Sequence, residues 1–176
     1  MPKFVVFLRG INVGGHRVSM ERLRALFSEL RFSPVETFIA SGNVVFETDE
    51  IDPNALETRI EAHLRAALGY EVATFLRTPA ELAAVVQNCP FSPAETDSLY
   101  VTFHKAPLTE THLANLDALP KETDAFAHAG REMYRLIRGK LTESAIPDAH
   151  FNRAIKGATG TARNINTVQK MAEKYK

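Results

Sequence analysis

FVVFLRGINVGGHRVS, residues Phe4 to Ser19, decides the fold. A short apolar run, Lys3 to Arg9, reads as a buried strand rich in Phe and Val. It ends in a loop with three glycines, an asparagine, a histidine and two arginines. Ser19 then suits a helix N-cap, with Val18 and Leu23 spaced as a hydrophobic staple. Met20, Leu23, Leu26 and Leu30 repeat at helical spacing, so strand, glycine loop and amphipathic helix follow without a break. Such a junction can present backbone N–H groups to an anion.

Working outward, Val35 to Ala40 and Asn43 to Glu47 read as two strands about a Ser41-Gly42 turn. Asp52-Pro53 opens a second helix whose apolar face is Leu56, Ile60, Leu64 and Leu68, with Gly69 as its stop. Val72 to Arg77 closes a β-α-β-β-α-β unit, the ferredoxin-like order. Thr78-Pro79-Ala80-Glu81 is a capping box, which predicts a connecting helix to about Asn88, then a proline-containing linker from Cys89 to Asp97. The order then repeats. Leu99 to His104 is a strand and Thr109 caps a helix. Ala125 to His128 and Glu132 to Ile137 form a hairpin about Gly130-Arg131, and a helix spans about Pro147 to Lys156. Where a fourth strand of the repeat belongs, the sequence offers Ala158-Thr159-Gly160-Thr161 and a last helix with an Ile165, Val168, Ala172, Tyr175 stripe.

The expected architecture is therefore α+β. Two tandem ferredoxin-like units, β-α-β-β-α-β and then β-α-β-β-α plus a C-terminal helix, place helices on one face of antiparallel sheets. The expected divisions are residues 1–78, a connection at 79–97, and 98–176.

The chain has 176 residues, 45% hydrophobic and 24% charged, ordinary for a globular protein. No apolar run approaches the roughly 20 residues that cross a bilayer, and Phe4 to Leu8 is too short for a signal-peptide core. Cys89 is the single cysteine, so no internal disulfide forms and a cytoplasmic setting is expected. Net charge is zero but uneven. Residues 131–176 hold ten Lys/Arg against four Asp/Glu (+6), and residues 1–130 hold eleven against seventeen (−6). The basic part can meet an anionic ligand or neutralise the acidic part of its own molecule.

In a ferredoxin-like unit the exit of the first strand and the turn between the second and third lie at one sheet end. That brings Arg9, Asn12, Gly14, Gly15, His16 and Arg17 beside Ser41 and Asn43. Arginine grips phosphate or carboxylate bidentately, and asparagine offers a donor and an acceptor. The bland alternative is that both asparagines satisfy turn backbone and the arginines are solvated. The loop lacks the Gly-Lys-Ser/Thr ending of a P-loop and does not match GxGxxG. A second polar stretch, Thr161 to Val168, carries Arg163, Asn164 and Asn166 at an expected helix start. The histidines show no metal-ligand spacing, so neither a metal nor a cofactor is expected. No GxSxG occurs, and Cys89 has no histidine near it in sequence, so no catalytic residue is assigned.

FLRGINVGG (Phe7 to Gly15), SGNVVF (Ser41 to Phe46) and TARNINTV (Thr161 to Val168) resemble the bacterial family called domain of unknown function 1697. Its patterns run close to LLRGINVGG, QSGNVVF and TxRNWNTV. Ala40 stands where that pattern has Gln, and Ile165 where it has Trp. The resemblance implies paired ferredoxin-like halves and brings no established activity. Three functions stay open. The first is a module binding an anionic ligand, phosphorylated small molecule or nucleic acid, at the glycine loop. The second is a small hydrolase of phosphoryl or acyl groups, by fold analogy with acylphosphatases through Arg17 and Asn43. The third is a protein that pairs with its own copy.

Overall fold

A computed structural model of the chain describes residues 1–39 and 42–176. Its elements run β1 (Lys3–Arg9), α1 (Met20–Glu29), β2 (Val35–Thr37), β3 (Asn43–Glu47), α2 (Pro53–Leu68), β4 (Ala73–Arg77) and α3 (Pro79–Gln87). There follow β5 (Ser98–His104), α4 (Glu110–Asp117), β6 (Asp124–Ala129), β7 (Glu132–Ile137), α5 (Asp148–Ala154), β8 (Gly160–Asn164) and α6 (Ile165–Lys174). Two four-stranded antiparallel sheets form, ordered β2-β3-β1-β4 and β6-β7-β5-β8. Two compact units result. One is Met1–Ala83 with Met171–Lys176, and the other is Ala84–Lys170, so the boundary falls inside α3 and again inside α6.

In the first unit α1 and α2 cover one sheet face. Leu23, Leu26 and Phe27 of α1 and Leu56, Ile60 and Leu64 of α2 join Phe4, Val6, Leu8, Val44 and Phe46 in one core. Val5 and Phe7, on the opposite face of β1, are also buried, which is why β1 reads as a continuous apolar run instead of alternating. Ser19 caps α1 by accepting from Arg22 N–H at 3.0 Å, and Asp52 caps α2 ahead of Pro53.

The β4 edge is shielded from α2. The pairs Val5↔Arg77, Phe7↔Phe75 and Arg9↔Ala73 leave the N–H groups of Thr74 and Leu76 pointing away from β1. Glu61 Oε1 accepts from Thr74 N–H at 2.8 Å, and Glu57 Oε1 from Leu76 N–H at 2.8 Å. An exposed strand edge is a template for pairing with other chains, and these carboxylates occupy it.

The second unit corrects the sequence reading in one place. Gly160–Asn164 is a full fourth strand, pairing antiparallel with β5 from Tyr100↔Asn164 to His104↔Gly160. Arg163 and Asn164 are thus strand residues, and α6 starts at Ile165. The sequence GTARN is polar and lacks alternation, so its strand character comes from non-local pairing with β5. The stripe of α6 also shifts by one residue: Met171 is fully buried, while Ala172 is half-buried.

Glycine at 160 is set by close approach. A Cβ there would lie 2.7 Å from the His104 ring and 2.8 Å from Thr102 Cγ2. Both neighbours are buried in β5, and forced overpacking of this kind costs roughly 1–3 kcal/mol. Gly160→Ala should therefore lower the urea midpoint with an unchanged slope. An unaltered midpoint would show that β5 yields freely at this contact.

Candidate ligand-binding site

The ladder places the β1–α1 loop beside the start of β3. Phe7 pairs with Asn43, and Leu8 N–H donates to the Gly42 carbonyl at 2.7 Å. The second unit repeats the junction, with His104 N–H donating to the Arg131 carbonyl at 3.0 Å. Ser41 lies outside the described residues, as does Ala40.

Asn12 shapes the loop. Its Oδ1 accepts from Val18 N–H at 2.6 Å and its Nδ2 donates to the Val18 carbonyl at 3.4 Å, closing residues 12–18 into a pinned ring. Inside it His16 N–H donates to the Val13 carbonyl at 3.1 Å, a turn whose two central residues are Gly14 (φ +61°) and Gly15 (φ +87°). Both glycines are solvent-exposed in the left-handed region, where a Cβ would be strained. Among the described residues nothing accepts from their N–H groups. Asn43, by contrast, is 2% exposed. Its Nδ2 donates to the Phe38 carbonyl at 3.1 Å, while Phe38 N–H donates back to the Asn43 carbonyl at 3.0 Å. Both amides therefore work on backbone and position the loops.

The cations stand outside. Arg17 Nη1 donates to the carbonyls of Asn12 (3.1 Å) and His16 (2.9 Å), which fixes the guanidinium on the ring. Its Nε and Nη2 have no partner among the described residues. Arg9 is exposed at the end of β1, and no side-chain partner engages it among the described residues. The exposed His16 imidazole stacks on Tyr70 at 3.8 Å between centroids, 22° off parallel. The Tyr70 hydroxyl in turn donates to the Ile11 carbonyl at 2.8 Å, so the ring pair is tied to the loop base. From Arg9 to Arg24 there are four arginines and one glutamate, a local charge of +3 (4 − 1). The loop thus gathers two exposed glycines, two arginines and a stacked histidine ring after β1.

The C-terminal residues named from sequence sit in the second unit. Arg163 Nη1 donates to Thr161 Oγ1 at 2.8 Å and to the Ala162 carbonyl at 2.9 Å. Loss of hydration on burial pushes its pKa down to about 10, so it remains a cation at neutral pH. Asn164 Oδ1 accepts from Asn166 N–H at 2.9 Å, capping the first turn of α6.

Sequence reasoning did not find a cavity of about 540 Å³ in the second unit, between α4 and β6. Its apolar walls include Leu113 and Leu116 of α4, Phe126 of β6 and Met133 of β7. Beneath it lies a buried ion pair, Arg135 Nε to Asp124 Oδ2 at 2.8 Å, with Ser144 bridging Arg135 Nη2 (3.1 Å) and Asp124 Oδ1 (2.8 Å). Arg135 also lies 4.4 Å from the Phe151 ring centroid. The sequence signal was Ala125-Phe126-Ala127, a strand whose small residues leave room beside a helix of only eight residues. Among the described residues, no group of three or more His, Cys, Asp or Glu is placed to hold a metal. Cys89 is half-buried, its Sγ 3.7 Å from the Phe91 carbonyl.

Two tandem ferredoxin-like units, the first with a pinned, cationic glycine loop, define the class of this α+β protein. Residues 1–134 match the family described as "Protein of unknown function (DUF1697)", and the chain belongs to that family. The matched span contains both N-terminal motifs, while Thr161 to Val168 lies beyond it. Among solved structures the chain is similar to a conserved bacterial protein from Streptococcus pneumoniae. The two share 19% identity and a TM-score of 0.78, covering 99% of this chain and 98% of that one, a likeness of fold. A search of curated proteins gives no match.

Proposed function

We propose that this chain is a cytoplasmic module that binds a phosphate-bearing anionic ligand at the β1–α1 loop. The observation that carries the reading is the ring closed by Asn12 on Val18, which holds exposed Gly14 and Gly15, their N–H groups without an acceptor among the described residues, in one loop with Arg17. A loop already fixed loses little entropy when a ligand arrives, so its donors act at full strength. Arg17 offers the forked face left over from its two backbone bonds, Arg9 adds a second cation, and His16 lies between them in sequence. A short phosphorylated molecule suits this compact +3 segment better than a long polyanion, because the chain as a whole carries no net charge. The single cysteine and the absence of any membrane-length apolar helix among the described residues support the cytoplasmic setting.

Calorimetric titration with pyrophosphate tests the reading. Binding should weaken as salt rises, since exposed charges are screened. Hydrogen bonds to a charged group are worth about 1.5–3 kcal/mol, so Arg17→Ala should weaken binding at least tenfold. Equal affinity in wild type and Arg17→Ala would remove this loop as the site. Tighter, steeply salt-dependent binding of single-stranded RNA in the same titration would make nucleic acid the ligand instead.

A further inference from the structure

Edge strand β6 is open where β4 is shielded. Arg138 N–H donates to the Thr123 carbonyl at 2.8 Å, which fixes the hydrogen-bonding parity of the β6–β7 hairpin. Ala125, Ala127 and Ala129 then bond inward to Leu136, Tyr134 and Glu132, and the main-chain groups of Asp124, Phe126 and His128 point outward. Among the described residues nothing pairs with those outward groups. The strand reads DAFAHA, with no lysine, proline or bulge to repel a neighbour. Beside it runs the half-open cavity between α4 and β6.

We propose that β6 pairs antiparallel with β6 of a second copy of this chain, about a two-fold axis at Phe126. The sequence is suited to itself there. Centring on Phe126 sets position 124 opposite 128 of the copy, so all three outward residues of each strand take part. Pairing about an axis normal to the sheet keeps both helix layers on one side, so the two half-open cavities become one chamber. Phe126 and Met133 of both chains form its floor, and each cavity lacks a wall until the copy arrives. Charge does not oppose the pairing, because the exposed Asp117–Lys121 pair on the cavity wall is internally neutral. The like-charged residue Asp124 is already neutralised by buried Arg135.

Sedimentation velocity on the full chain reads the outcome. The dimer has about 39 kDa, twice the 19.5 kDa of one chain. His128→Pro, at an exposed position, removes an outward N–H and no β6–β7 hydrogen bond, so it should weaken dimerisation at least tenfold. Hydrogen exchange supplies a second readout. The Phe126 and His128 amides should gain protection as protein concentration rises, while those of Ala125 and Ala127 stay protected throughout. A monomer at every concentration, a dimer indifferent to His128→Pro, or fast exchange at Phe126 and His128 in the dimer would each overturn the proposal.

Discussion

Asp124→Ala is expected to cost roughly 3–5 kcal/mol, because it strands a buried guanidinium. Arg135 is 8% exposed in its side chain and Asp124 0%, so water cannot take over the lost carboxylate. Three groups lean on that carboxylate at once. Arg135 Nε and the Ser144 hydroxyl donate to it at 2.8 Å, and the Thr123 hydroxyl at 2.5 Å. Ser144 and Thr123 also accept from Ile146 and Ala145 N–H groups, so the segment leading to α5 loosens with them. The cost follows from breaking the pair, and the pair itself need not be worth as much. Asp124→Leu with Arg135→Met should lie much closer to wild type than Asp124→Ala alone. Urea unfolding followed through the amides of β6 and β7 measures both. A loss below about 1 kcal/mol for Asp124→Ala would mean that Arg135 finds another partner.

The first unit has its own sensitive point at Phe46. Its ring stacks on Phe32 at 4.3 Å, 15° from parallel, and lies 5.7 Å from Phe27 and 5.9 Å from Phe4. These four rings come from β3, the segment after α1, α1 and β1, so Phe46 is where those pieces meet. Phe46 is 1% exposed, and truncation to alanine leaves a hole that stacked neighbours fill poorly. Phe46→Ala is expected to destabilise by about 3–5 kcal/mol, read from the urea midpoint of the first unit. Phe46→Leu should retain much more. Equal losses for the two would assign the effect to something other than volume.

How much of this was legible in the sequence varies with the physics behind each feature. The unit order was readable because caps, staples and apolar spacing are local: Ser19, Asp52-Pro53 and Thr109 act within four residues of themselves. β8 was not, since a polar pentapeptide becomes a strand only when β5 lies alongside it. At the candidate site, topology alone predicted that the loop after β1 would meet Asn43. What Asn12 and Asn43 do there depends on the reach of one amide to backbone six or five residues away, which spacing does not specify. The cavity beside β6 was hidden for a different reason. It arises from side chains that are small, and a missing volume leaves no pattern in a sequence.

The pair Glu57 and Glu61 on β4 has a geometric consequence. Residues four apart on a helix are separated by about 6 Å along its axis, and alternate residues of a strand by about 6.6 Å. The two rulers agree over one step, so neighbouring carboxylates meet alternate N–H groups, Glu57 at Leu76 and Glu61 at Thr74. Each further step adds about half an ångström of drift, and the next helical position in the series is Arg65, which cannot accept from an N–H at all. Inserting a single residue between Thr74 and Leu76 would bulge β4 and move their N–H groups apart, so that Glu57 and Glu61 could not both keep their partners. The length of β4 is thereby tied to the spacing of two side chains on α2, a coupling between helix and strand that tolerates substitution far better than it tolerates a change in length.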